Sequence, residues 1–171
     1  MDERDWTDRA LTAGETLVLG DCTIGLDPPR AATLVSGNVA AALDMLTSDV
    51  PILGLAEQSA GPAFALRIAR DQVLLITNKP LSAGEGWYGP GFALSRADDR
   101  FQAFQINGPG ARDILAQGTS APINVGSPSA AILFGGVFAL LSGTKTGYLL
   151  WIERGWTAYL TSFLRMARPL D

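Results

Sequence analysis

Histidine is absent from this 171-residue chain. It is the commonest general base near neutral pH and the commonest metal ligand. Its absence excludes a Ser-His-Asp triad, a Cys-His pair and any histidine-held metal. Cysteine is nearly as scarce: Cys22 is the only thiol, so no intrachain disulfide can form. With no histidine or basic neighbour to lower its pKa, Cys22 reads as a small buried apolar residue, not a nucleophile. Lys and Arg total 13 against 17 Asp and Glu, a formal net charge of −4, and no basic block occurs. Nucleic-acid binding needs a basic stripe to neutralise phosphates and is not expected. No apolar run approaches the ~20 residues that span a bilayer, so a membrane is not expected either. The acidic start, Met1 to Asp5, lacks the apolar stretch of a secretory signal, and a cytoplasmic location is the simplest expectation.

Apolar material is plentiful, at 47% hydrophobic against 18% charged residues. That suffices for one packed domain of this length. The excess reads either as cover for a partner interface or as a high Ala and Gly content, and both readings stand.

Gln102 to Gly118 carries the clearest local signal. Phe101, Ala103 and Gln105 alternate with Gln102, Phe104 and Ile106, a strand pattern. Asn107-Gly108 breaks it, and Pro109 follows where the first turn of a helix accepts proline. Ala111, Ile114, Leu115 and Gly118 then share one helical face. The same unit occurs earlier. Ala32 to Leu34 is an apolar run, Ser36-Gly37 breaks it, and Val39, Ala42, Leu43 and Leu46 repeat the face. Val39 and Ala111 lie 72 positions apart, as do Leu34 and Ile106. A strand hairpin follows each helix: 63–68 with 72–77, and 137–141 with 148–152. An internal repeat of this kind outranks any single motif. It predicts helices at 38–46 and 110–118, and buried, equivalent positions for Leu34, Leu43, Ile106 and Leu115.

Residues 1–14 read as a flexible N-terminal tail, polar and mixed in charge. Strands are expected at Thr16–Leu19 and Cys22–Leu26, with a turn at 27–30 where Pro28 and Pro29 fix the backbone. Residues 15–171 form a single domain, with halves of about 15–91 and 92–171. Between the halves, 78–91 is a Gly- and Pro-rich loop holding Trp87 and Tyr88. The two aromatics either pin the loop to its own domain or face a partner, since Trp and Tyr are enriched at binding hot spots. Trp87 and Tyr88 are the candidate partner-interface residues. A last helix is expected at 156–168. Trp156, Tyr159, Leu160, Phe163 and Leu164 on one face read as core, with Arg168 in the last turn and Pro169 as its stop.

No catalytic, cofactor-binding or metal-binding residue emerges. Asn107 to Gly110 opens a helix, where free N–H groups bind anions. Pro109 removes one donor, and no dinucleotide or P-loop fingerprint is present, so a tight turn is the simpler reading. Ser142 to Gly147 sets Lys beside Thr as a P-loop does, but it links two strands and reads as a hairpin turn. Asp98 and Asp99 are adjacent on the chain and point apart, so they make no proton-sharing dyad.

The strand, turn and helix at Asn107–Gly118, the strand ending Leu149-Leu150-Trp151, and the aromatic helix Trp156–Phe163 resemble the gamma subunit of heterotetrameric sarcosine oxidase. That subunit is similar to the folate-binding domain of the aminomethyltransferases. The likeness runs from about Thr33 to Arg168. It departs after the second-repeat helix, where the family has Lys-Gly-Cys-Pro and this chain has Gln117-Gly118-Thr119-Ser120. It departs again where Ser82–Gly91 replaces the helix that closes the first half. The resemblance and the repeat together imply an α+β fold: two β-α-β-β-type halves about a pseudo-twofold axis, with antiparallel sheets covered by helices. The resemblance further implies a non-catalytic structural subunit of a flavin-dependent, folate-linked secondary-amine oxidase or dehydrogenase. No cofactor is then expected in this chain. FAD, FMN and tetrahydrofolate belong to larger flavin-bearing and folate-binding partner subunits. Two alternatives remain: a stand-alone folate-binding one-carbon-transfer protein of the aminomethyltransferase type, and a self-associating scaffold domain.

Overall fold

Apolar residues alternating at period two drive twelve segments of the chain into strands, and two short helical faces follow directly on strands. The computed structural model describes residues 9–47, 49–124 and 126–167. Its elements run β1 (Thr16–Leu19), β2 (Cys22–Leu26), β3 (Ala31–Gly37), α1 (Val39–Leu46), β4 (Ile52–Leu53), β5 (Phe64–Ala69), β6 (Gln72–Thr77) and β7 (Gly86–Tyr88). Then come β8 (Phe92–Arg96), β9 (Phe101–Asn107), α2 (Ala111–Gly118), β10 (Ala131–Phe134), β11 (Val137–Gly143), β12 (Gly147–Glu153) and α3 (Thr157–Met166). Both strand hairpins expected after the repeat helices form, as β5–β6 and β11–β12.

The fold is α+β, with two six-stranded sheets ordered β1-β2-β9-β12-β11-β10 and β4-β5-β6-β3-β8-β7. Among the named strands only β4 and β5 pair in parallel. Phe64, Leu66 and Leu74 of one sheet share a core cluster with Phe101, Leu140 and Trp151 of the other, so the sheets pack face to face. α1 covers the outer face of one sheet through Val39, Ala42 and Leu43. α2 and α3 cover the other through Ile114, Leu115, Leu160 and Leu164. The layers are therefore helix, sheet, sheet, helix.

The sheets match in strand order, except that β4 runs parallel to β5 where β10 runs antiparallel to β11. β3 lies between β6 and β8, and β9 lies between β12 and β2. In each sheet the completing hairpin is the one that, in the repeat, precedes the central strand of the other sheet. β1–β2 precedes β3 but pairs with β9, Ile24 opposite Ile106. β7–β8 precedes β9 but pairs with β3, Leu94 opposite Val35. The boundary expected at 91/92 therefore does not separate the two sheets. β8 lies past it yet belongs with β3, and β1–β2 lies before it yet belongs with β9.

The repeat holds for the helices and slips by one on the strands. Val39, Ala42 and Leu43 answer to Ala111, Ile114 and Leu115 at 72 positions, and all six are buried. On the strands, Val35 faces α1 as Ile106 faces α2, which is 71 positions. The second turn is one residue longer. With side chains alternating across a strand, that residue flips the face. Leu34 consequently lies toward the other sheet and is only half-buried, whereas Leu43, Ile106 and Leu115 are buried as expected. The turns remain equivalent. Gly37 (φ 99°) donates its N–H to Asp71 O at 2.8 Å, and Gly108 (φ 117°) donates to Thr146 O at 3.0 Å. Both adopt the left-handed backbone that favours glycine.

Two terminal expectations change. Residues 1–8 lie outside the described residues, but 9–14 are not a loose tail. Leu11 is buried in the core, and its N–H donates to Thr161 Oγ1 at 3.2 Å. Arg165 donates to Arg9 O at 3.0 Å. The packed unit thus begins before residue 15. In α3, Leu160, Thr161 and Leu164 are buried, but Tyr159, and Trp156 just before the helix, are both 47% exposed. Arg168 and Pro169 lie outside the described residues.

Candidate partner interface

Trp87 and Tyr88 sit on β7, the edge strand of its sheet. Neighbours on a strand point to opposite faces, and the two aromatics take different surroundings. The Tyr88 ring stacks on Phe92 at 5.0 Å and 9°, and its hydroxyl donates to Gly84 O at 2.7 Å. Trp87 stands opposite Ala93 in the ladder and is 72% exposed. Tyr88 therefore pins the segment, and Trp87 is held out from it. Part of the expected loop is thus a strand, ordered by the Tyr88–Phe92 stack and the β8 ladder.

Other apolar side chains stand exposed that the sequence did not single out for a surface. Trp156 meets Tyr159 edge-on at 5.9 Å, and the Tyr159 hydroxyl donates to Gly135 O at 2.7 Å. The helical pattern had placed both in the core. Leu133 and Phe138 pair across β10 and β11, and both are exposed. Ile132 and Phe134 are buried in the core cluster that α2 and α3 cover. Leu133, of opposite phase, was the legible signal for a strand with an apolar residue on its other face.

The segments with a possible chemistry resolve as structural. Helix α2 offers no open anion cradle: Gly110 N–H donates to Asp21 Oδ1 at 3.1 Å, and Gly108 N–H is taken by Thr146. The β1–β2 turn thus supplies the carboxylate that complements the helix start. The 142–147 run is the β11–β12 hairpin. Asp98 accepts from Ala32 N–H at 2.7 Å and faces Arg96 at 3.3 Å, while Asp99 is exposed, so no dyad forms. Cys22 is fully buried, and burial, reinforced by the nearby Asp21 charge, pushes its thiol pKa up. Among the described residues no group of three or more Cys, Asp or Glu side chains gathers as a metal site. Nor is any described helix long and apolar enough to cross a membrane.

No family model matches the chain, and no curated protein does. Its fold does match a solved structure. A chain of the heterotetrameric sarcosine oxidase from Corynebacterium sp. U-96, determined in complex with pyrrole 2-carboxylate, superimposes with a TM-score of 0.60. The match covers 90% of each chain at 13% sequence identity. The likeness is one of fold, and it extends over nearly the whole length of both chains.

Proposed function

We propose that this chain is a non-catalytic structural subunit of a flavin-dependent, folate-linked secondary-amine oxidase or dehydrogenase complex. The supporting observation is the fold likeness to a chain of a heterotetrameric sarcosine oxidase over nine-tenths of both lengths. A chain of matching extent suits one subunit of such an assembly. Two features of this chain agree with the role. Its sequence holds no histidine. Trp87 stands out on an edge strand, where an interface anchor belongs. Larger partner subunits would carry the flavins, and a folate-binding partner would take the one-carbon unit from an N-methyl amine.

Deletion of the gene for this chain tests the reading. Oxidation of sarcosine-type amines by the source cells should fall, and the full-length chain should restore it. The purified chain should oxidise none of these amines by itself. Unchanged oxidation after deletion would overturn the role.

A further inference from the structure

Between the two sheets, at the β11–β12 hairpin, lies a cleft of about 200 Å³ that the structural role leaves unused. Arg30, Gln58, Phe64, Ser142, Lys145 and Leu149 line it. Ser142 is 1% exposed, and its Oγ has no hydrogen-bond partner. A buried hydroxyl without a partner is uncommon and marks a place where a ligand or water completes the bonding. The backbone here is held in an unusual form. Ala56 takes φ 57°, its N–H donates to Leu141 O at 3.1 Å, and Gly143 N–H donates to Glu57 O at 2.9 Å. This strand-like bridge sets Gln58 beside Gly143 at the cleft. Strained backbone that the surroundings enforce gathers at binding sites.

The charges narrow the ligand. Arg30 is already met by buried Asp27, with Nε donating to Oδ2 at 2.8 Å. Lys145, exposed on the hairpin, makes no ion pair among the described residues and is the uncompensated cation. A singly charged anion balances it, whereas a phosphate dianion brings excess charge into a partly apolar cleft. Phe64 and Leu149 supply an apolar wall. We propose that this cleft binds a small organic carboxylate with an apolar body. Its oxygens meet the Ser142 hydroxyl and the Lys145 ammonium, and its body lies against Phe64 and Leu149.

Calorimetric titration of the full-length protein with benzoate, benzamide and inorganic phosphate tests this. Benzoate should bind at least about tenfold more tightly than benzamide, because a charge-assisted bond is the stronger one. Phosphate should bind more weakly than benzoate. Lys145→Ala, at an exposed site, should bring benzoate down to the benzamide level. Ser142→Ala should weaken benzoate without lowering the melting temperature of the ligand-free protein, since it removes an unpaired buried hydroxyl. Equal binding of benzoate and benzamide, phosphate binding tighter than benzoate, or unaltered benzoate binding by Lys145→Ala would each overturn the proposal.

Discussion

Trp87 is 72% exposed on an edge strand, so truncating it removes little from the core of its own chain. Trp87→Ala is expected to leave the melting temperature of the isolated chain almost unchanged. As an interface anchor it should cost assembly ~2 kcal/mol or more, about thirtyfold in affinity. Measuring both on one variant separates the roles: a large drop in melting temperature with normal assembly would place the indole in the core. Cys22 offers a contrasting residue-scale prediction. Its thiol is fully buried and its pKa raised, so labelling by a thiol reagent at neutral pH should proceed only as the protein unfolds. The folded state holds that proton more tightly than the unfolded chain. Its contribution is complete below the unfolded thiol pKa, about 8.5, and is lost as pH climbs toward the raised folded value. Rapid labelling of folded protein would contradict the burial. Composition indicated that Cys22 is inert, because nothing nearby activates it. Composition could not separate Trp87 from Tyr88, since that division depends on the Phe92 ring, which only the β7–β8 pairing brings alongside.

The strand-turn-helix units place their strain in two glycines. A Cβ on Gly108 would fall onto the Asp21 carbonyl, and its φ of 117° disfavours any other residue. Gly108→Ala should destabilise by about 1–3 kcal/mol or more. Gly89→Ala, where nothing lies within 4 Å of the added carbon, should stay within about 0.5 kcal/mol. Equal melting temperatures for the two variants would contradict this account of the turn. Strands β1–β3, β5, β6, β9, β11 and β12 and the helix starts were legible because each rests on local period and turn chemistry: β1 and β2 fall at the expected residues, and α1 and α2 begin on the paired Val39 and Ala111, whereas β4, β7, β8 and β10 went unread. The strand register was not legible. One extra residue between Ile106 and Ala111 moves the match from 72 to 71 and turns Leu34 to the other face, and a residue count cannot reveal a face. The α3 pattern misled for a related reason. Its helical period was right, but Trp156 precedes the helix and, with Tyr159, sits at the open side of the buried Leu160–Leu164 stripe.

Exchange of the two hairpins makes the whole chain one unit. The fragment 92–171 lacks β1–β2 and would leave β9 with an unpaired edge, an invitation to aggregate. It should show no cooperative thermal transition alone, whereas the full chain should melt in one. A cooperative melt of the fragment would mean that the exchanged hairpin is dispensable. That exchange was invisible in the sequence, because β1–β2 skips β3, the next strand in the chain, and joins β9 only after the whole of the other sheet has intervened. At this scale the chain shares its fold with a chain of a heterotetrameric sarcosine oxidase, and it presents exposed Trp87, Trp156, Leu133 and Phe138 at its surface. Native mass spectrometry of the tagged full-length chain, purified from its own cells, tests the central claim most directly. The account predicts a stoichiometric complex with larger chains that carry flavin and oxidise a sarcosine-type amine. A chain recovered only alone, or only with copies of itself, would contradict it.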